Sequence, residues 1–84
     1  MAKSRSGYWV VRWGESERIT SSPTSDATEA CRQCYGMCAD NMTAKLIGNK
    51  AQVRSAKFRA AVLADPLGWV RFARVHGTIR TAQV

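Results

Sequence analysis

Acidic residues are scarce in this chain, and they are unevenly distributed. Six Asp and Glu residues stand against thirteen Lys and Arg residues, which gives the 84-residue chain a net charge of +7. Residues 1–40 carry five basic and five acidic side chains, whereas residues 41–84 carry eight basic side chains and Asp65 as their one acid. The excess of positive charge therefore lies in the second half, where it favours an anionic partner.

Groups that commonly perform catalysis are also scarce. With six acids and a single histidine, His76, the sequence offers no Ser-His-Asp set, no pair of carboxylates at a characteristic spacing and no glycine-rich phosphate loop. We therefore expect a protein that is not an enzyme and that needs no cofactor.

Long hydrophobic runs are missing as well. No segment approaches the roughly 18 to 20 apolar residues of a membrane span, and no apolar run of the kind found in a signal peptide follows the first residues, MAKSRSG. Three cysteines cannot all pair within one chain, so a reducing compartment fits better than a disulfide framework. These features predict a cytoplasmic protein without a membrane partner.

The three cysteines lie together in the segment CRQCYGMC, residues 31–38. On a helix, the thiols of Cys31, Cys34 and Cys38 would occupy an arc of roughly 60° on one face. Buried cysteine behaves as a small hydrophobic residue, so we predict that the thiols are structural and bind no metal. Two alternatives stay open: a zinc or iron–sulfur site completed by His76, favoured if Gly36 breaks the helix, and a thioredoxin-like redox pair.

The first half of the chain predicts a hairpin followed by a long helix. One domain covers residues 1–84, and its first residues, 1–6, are expected to be flexible. YWVVRW and ERIT, separated by a Gly14-Glu15-Ser16 turn, predict an N-terminal β-hairpin. Asp26 and Glu29 have the spacing of a capping box, and the apolar pattern after them predicts an amphipathic helix through Leu46.

The second half predicts another helix and a terminal pair of strands. Gly48 suits a helix C-cap, Asn49 can start a second helix that runs to about Ala64, and a turn follows at residues 65–68. WVRFARV and TIRTAQV around the next turn read as two strands, with a third helix as the alternative. The predicted fold is α+β: an N-terminal β-hairpin, two consecutive central helices, and a C-terminal β-hairpin or third helix, with a small single-layer sheet packed on the helices.

The second predicted helix carries a basic stripe. Lys50, Arg54 and Lys57 recur at i, i+4 and i+7, and no acid between Asp40 and Asp65 balances them. Phosphate backbones are the commonest target of such a patch, so we hypothesise a small protein that binds DNA or RNA. The candidate contact residues are Lys45, Lys50, Arg54, Lys57, Arg71, Arg74 and Arg80.

Other interpretations of the same residues remain. The stripe is also compatible with a merely solvated face. It would equally suit a protein-binding accessory or inhibitor module, of the kind that phages encode, which docks through an acidic protein surface on a larger nucleoprotein complex. The first predicted helix (helix 1), the Gly48-Asn49 turn and the second predicted helix (helix 2) could form a helix-turn-helix. Homodimerisation through the helices is also open, because a chain this short can bury only a small core.

Overall fold

The computed structural model describes residues 5–83 and shows a five-stranded antiparallel sheet with helices on both faces. Of the segment 1–6 expected to be flexible, residues 1–4 lie outside this description. The strands occur in the spatial order β2-β1-β3-β4-β5. In chain order the elements are β1 (Tyr8–Trp13), β2 (Ser16–Ile19), α1 (Ala27–Tyr35), β3 (Thr43–Gly48), α2 (Lys50–Arg54), α3 (Ala56–Ala64), β4 (Val70–Val75) and β5 (Thr78–Gln83).

Each face of the sheet has its own hydrophobic cluster, because successive residues of a strand point to opposite faces. Helix α1 packs on one face over the larger cluster, and α2 and α3 pack on the other over a smaller one. The larger cluster contains Trp9, Val11, Ala30, Cys31, Cys34, Met42, Ala44 and Phe72. The smaller contains Val10, Ile47 and Val53, with Tyr8, Val62 and Leu63 against it. The predicted α+β class is confirmed.

Both predicted hairpins are present. β1 and β2 pair from Val10–Ile19 to Trp13–Ser16, as the aromatic and β-branched runs indicated. β4 and β5 pair along their whole length around His76 and Gly77, whose φ values of 50° and 81° are those of a type I′ turn, the connection that matches strand twist. The alternative of a third helix in this segment is therefore wrong.

The prediction that helix 1 continues to Leu46 is wrong. The helix ends at Tyr35, because Gly36 adopts the left-handed conformation (φ 75°) and its N–H donates to the carbonyl of Arg32. The residues from Thr43 to Gly48 instead form β3, which lies between β1 and β4. A strand therefore separates the central helices that we expected to be consecutive, and the helix-turn-helix alternative is excluded with them.

The second predicted helix starts where expected but is divided. Asn49 forms a full capping box with Gln52 at the start of α2. Ser55 then adopts an extended conformation (φ −82°, ψ 108°), ends α2, and accepts a hydrogen bond from the N–H of Phe58 as the N-cap of α3. A serine that can cap the next turn competes with continuing the helix, so two short helices replace one.

Gly36 provides a test of how α1 is terminated. An added Cβ would meet no atom within 4 Å, so the cost of Gly36→Ala comes from the left-handed backbone alone. We expect Gly36→Ala to lower the free energy of unfolding by about 1–2 kcal/mol, and Gly36→Asn by less, because asparagine tolerates this conformation. Urea denaturation of the three proteins measures both differences. Equal stability of the wild type and the alanine variant would contradict this account.

Candidate nucleic-acid interface

The register of the strands decides which basic side chains share a face. Residues paired across antiparallel strands lie on the same face. The pairs Val10–Lys45, Arg12–Thr43, Thr43–Arg71 and Ala73–Arg80 thus place Arg12, Lys45, Arg71 and Arg80 on the face that α2 and α3 partly cover. We call this face together with α2 and α3 the α2–α3 side, and the opposite face with α1 the α1 side.

The two sides differ sharply in charge. The α1 side is balanced, with Arg18, Arg32 and Arg74 against Asp26, Glu29 and Asp40. The α2–α3 side has eight basic residues against two acids, Glu17 and Asp65. Its basic residues are Arg12, Lys45, Lys50, Arg54, Lys57, Arg59, Arg71 and Arg80. The excess of positive charge, which the sequence places in the second half of the chain, thus lies mainly on one side of the sheet.

Five of the seven residues predicted as contacts are exposed on this side. They come from two places, the short helices and the sheet: Lys50, Arg54, Lys57, Arg71 and Arg80. The premise that the first three form one continuous helical stripe is wrong, because the break at Ser55 puts Lys57 on a separate helix. They still share a side, because both helices pack on the same sheet face.

Lys45 is on the same side but not on its surface. The residue is 5% exposed, and its ammonium donates a hydrogen bond to the backbone carbonyl of Asp65. The ammonium nitrogen lies 5.6 Å from the centre of the Trp69 ring, in a cation–π contact. The lysine therefore holds the α3–β4 connection against the sheet and does not present its charge to a partner.

Arg74, the remaining predicted contact, points to the opposite side. It pairs with Ile79, whose side chain packs against the α1 cluster. Its backbone N–H donates to Asp40 Oδ1 at 3.1 Å, and its guanidinium reaches the carbonyl of Gly77. The structure thus separates Arg74 from Arg71 and Arg80.

Arg12 is a basic residue of this side that the sequence reasoning missed. Its guanidinium carbon lies 4.7 Å from the centre of the Trp69 ring, and its Nε donates to Glu17 Oε1 at 2.7 Å. The alternation of YWVVRW indicated that Arg12 would face away from Val11. Nothing in the sequence indicated that β1 would lie next to β3, so the meeting of Arg12 with Lys45 and Trp69 could not be foreseen.

The cysteines lie in the core under α1. Cys31 and Cys34 are buried on the helix, whereas Cys38 follows Gly36 and is outside it, so the expectation of one helix face holds for two thiols. Cys38 is half-buried, and its Sγ donates to the carbonyl of Thr28 at 3.4 Å. All three are free thiols, and no group of His, Cys, Asp or Glu side chains within residues 5–83 is arranged to hold a metal ion.

No protein-family model matches the chain, nor does any curated protein or solved structure. Across residues 5–83, no helix has both the length and the apolar character that crossing a membrane would require.

The half-buried thiol of Cys38 should react faster than the buried thiols of Cys31 and Cys34. Burial, with a smaller contribution from the neighbouring cysteines, raises the pKa of Cys31 to about 12, and burial also raises the pKa of Cys34. Since the thiolate is the nucleophile, we expect iodoacetamide at mildly alkaline pH to modify Cys38 well before Cys31 or Cys34 in the native protein. Mass spectrometry of digests measures this order, and denatured protein, in which all three should react alike, is the control. Labelling of Cys31 as fast as Cys38 would contradict the packing described.

Proposed function

We propose that the protein binds nucleic acid, without catalysis, by contacting phosphates with the basic residues of the α2–α3 side. The observation that carries the proposal is the separation of charge between the two sides of the sheet. A fold that needed charge only for solubility would mix the signs on both sides. Here the α1 side does so, whereas the α2–α3 side does not.

The cations of this side are available to a partner. Among residues 5–83, Arg12 and Glu17 form the only ion pair, and its two side chains are both more than 40% exposed. Lys50, Arg54, Lys57, Arg71 and Arg80 are exposed, and no carboxylate of the described residues 5–83 lies within ion-pair distance of them. Polyanion binding needs such cations at several positions and no strict motif, because released counterions supply much of the free energy.

The positions of two lysines also favour a binding role over a structural one. Lys50 is the first residue of α2 and Lys57 is the second of α3, and neither helix has an acid in its first turn. Cations there oppose the helix dipole, whereas a cation in the last turn, such as Arg54, complements it. The opposition is strongest at Lys57, because α3 has nine residues whereas α2 has five and so only a weak dipole. Helix stability does not explain Lys57, and an anionic partner would.

The cytoplasm is the compartment that suits this proposal. Cys31, Cys34 and Cys38 are all unpaired, which fits a reducing environment.

Salt dependence tests the proposed function. With roughly three to five phosphate contacts, the logarithm of the association constant should fall against the logarithm of salt concentration with a slope of about −3 to −5. Substituting Lys50, Arg54 and Lys57 together by alanine should reduce that slope by about three. Fluorescence anisotropy with labelled DNA and RNA measures both.

The control removes Arg32 and Arg74, two exposed arginines of the α1 side, by alanine substitution. Its slope should stay close to that of the wild type. Weak binding with equal slopes for all three proteins would contradict the proposal. A docking module for an acidic protein surface, or a merely solvated face, would then be the better account.

Lys57 should show opposite effects on stability and binding. Because Lys57 lies in the first turn of α3, we expect Lys57→Gln to raise the free energy of unfolding by about 0.5 kcal/mol at low ionic strength and to weaken nucleic-acid binding. Arg54→Gln is the matched control, since it should weaken binding similarly without raising stability. Denaturant titration and anisotropy on the same samples provide the data. A Lys57→Gln protein of unchanged affinity would remove Lys57 from the interface.

A further inference from the structure

The hairpin of β4 and β5 extends beyond the strand that supports it. β4 pairs with β3 at two positions, Thr43–Arg71 and Ala44–Val70, whereas β4 and β5 pair over six positions. One further rung is closed where the Phe72 backbone bonds to Asn41 and Met42. Past that point, residues 73–80 form a two-stranded ribbon without a third strand, about three residues or 10 Å long on each side of the turn.

On the α2–α3 side, the two short helices leave this hairpin uncovered. Their hydrophobic cluster draws on β1 and β3 and includes no residue of β4 or β5. Arg71, Val75, Thr78 and Arg80 are accordingly exposed. The hairpin therefore presents an open, antiparallel surface beside the basic helices.

The two arginines of this surface are spaced so that both can extend from it. Each is paired with an alanine across the hairpin, Arg71 with Ala82 and Arg80 with Ala73, so neither guanidinium faces a bulky neighbour. Arg71 and Arg80 are thus diagonal neighbours on adjacent strands, a separation of about 7–8 Å. The rise of B-form DNA is about 3.4 Å per base pair, so this separation corresponds to two base-pair steps.

We propose that the β4–β5 hairpin lies in the major groove of duplex DNA, with Arg71 and Arg80 directed at base edges and the cations of α2 and α3 at flanking phosphates. This inference rests on the proposed function. The major groove of B-form DNA admits a two-stranded ribbon, and arginine reads guanine there by two hydrogen bonds to O6 and N7.

The same surface fits the other nucleic acids less well. The major groove of an RNA duplex is deep and narrow, so side chains cannot read it. Single strands are usually bound on exposed aromatic rings. On the open sheet surface Trp69 is 8% exposed and lies against Arg12 and Lys45, and the one ring of β4, Phe72, is buried on the α1 side.

The test uses the full chain and a pool of DNA duplexes in which the base pairs of the central helical turn are randomised. Rounds of binding and amplification should enrich two G·C pairs about two base-pair steps apart, and the enriched DNA duplex should bind at least tenfold tighter than an RNA duplex of the same sequence. The key variant is Arg71→Lys with Arg80→Lys, which keeps the charge but removes the planar fork that pairs with guanine. It should keep the salt slope of the wild type and lose both the enrichment and the preference for DNA.

Two further variants complete the design. Arg71→Gln with Arg80→Gln should lose the preference for DNA and also reduce the salt slope, while Arg32→Gln with Arg74→Gln, of equal charge on the α1 side, should retain enrichment. Salt-dependent binding by the wild type without any enrichment, or full enrichment by the lysine variant, would overturn the groove inference and leave phosphate binding intact. Absence of salt-dependent binding to any nucleic acid would instead overturn the proposed function itself.

Discussion

The fold depends on β3, the central strand that connects the two hairpins. It pairs with β1 along most of its length and with the start of β4, so the N-terminal and C-terminal hairpins become one sheet through this strand. Its side chains alternate between the two faces. Ala44 and Leu46 pack under α1, while Ile47 packs under the short helices. Placing β3 between the hairpins therefore also assigns α1 and the α2–α3 pair to opposite faces.

The charge pattern follows from this alternation. Lys45 lies between Ala44 and Leu46 and so faces the α2–α3 side, opposite Val10 of β1. A buried ammonium needs polar or aromatic neighbours, and Lys45 has the Asp65 carbonyl and the Trp69 ring. These contacts anchor the chain between α3 and β4, and hence the point from which the C-terminal hairpin leaves the sheet. A buried cation thus positions the exposed ones, Arg71 and Arg80.

Local signals predicted the hairpins and the helix starts, and a nonlocal pairing explains the main error. The turn at His76-Gly77 and the helix start at Asn49 each depend on a few residues that are adjacent in the sequence, so both could be predicted from it. From Cys38, Met42 and Leu46 follow at intervals of four, a spacing that also fits a helix, so periodicity alone could not reveal a strand there. That strand forms because β1 and β4 pair with it. Gly36 was the available local warning, since glycine is costly inside a helix.

The larger hydrophobic cluster and the unbalanced charge lie on opposite sides of the sheet, which explains how so short a chain can carry this charge. Four of the five largest fully buried side chains, those of Val11, Cys31, Met42 and Phe72, belong to the α1 cluster, on the side where acids and bases balance; the fifth, Val10, belongs to the smaller cluster. The α2–α3 side has the smaller cluster and most of the repulsion between positively charged side chains. Salt and the high dielectric constant of water weaken the repulsion among exposed cations. They do not weaken the hydrophobic stabilisation that comes from burying side chains under α1. The sheet therefore keeps the core that stabilises the fold away from the surface whose charges oppose it.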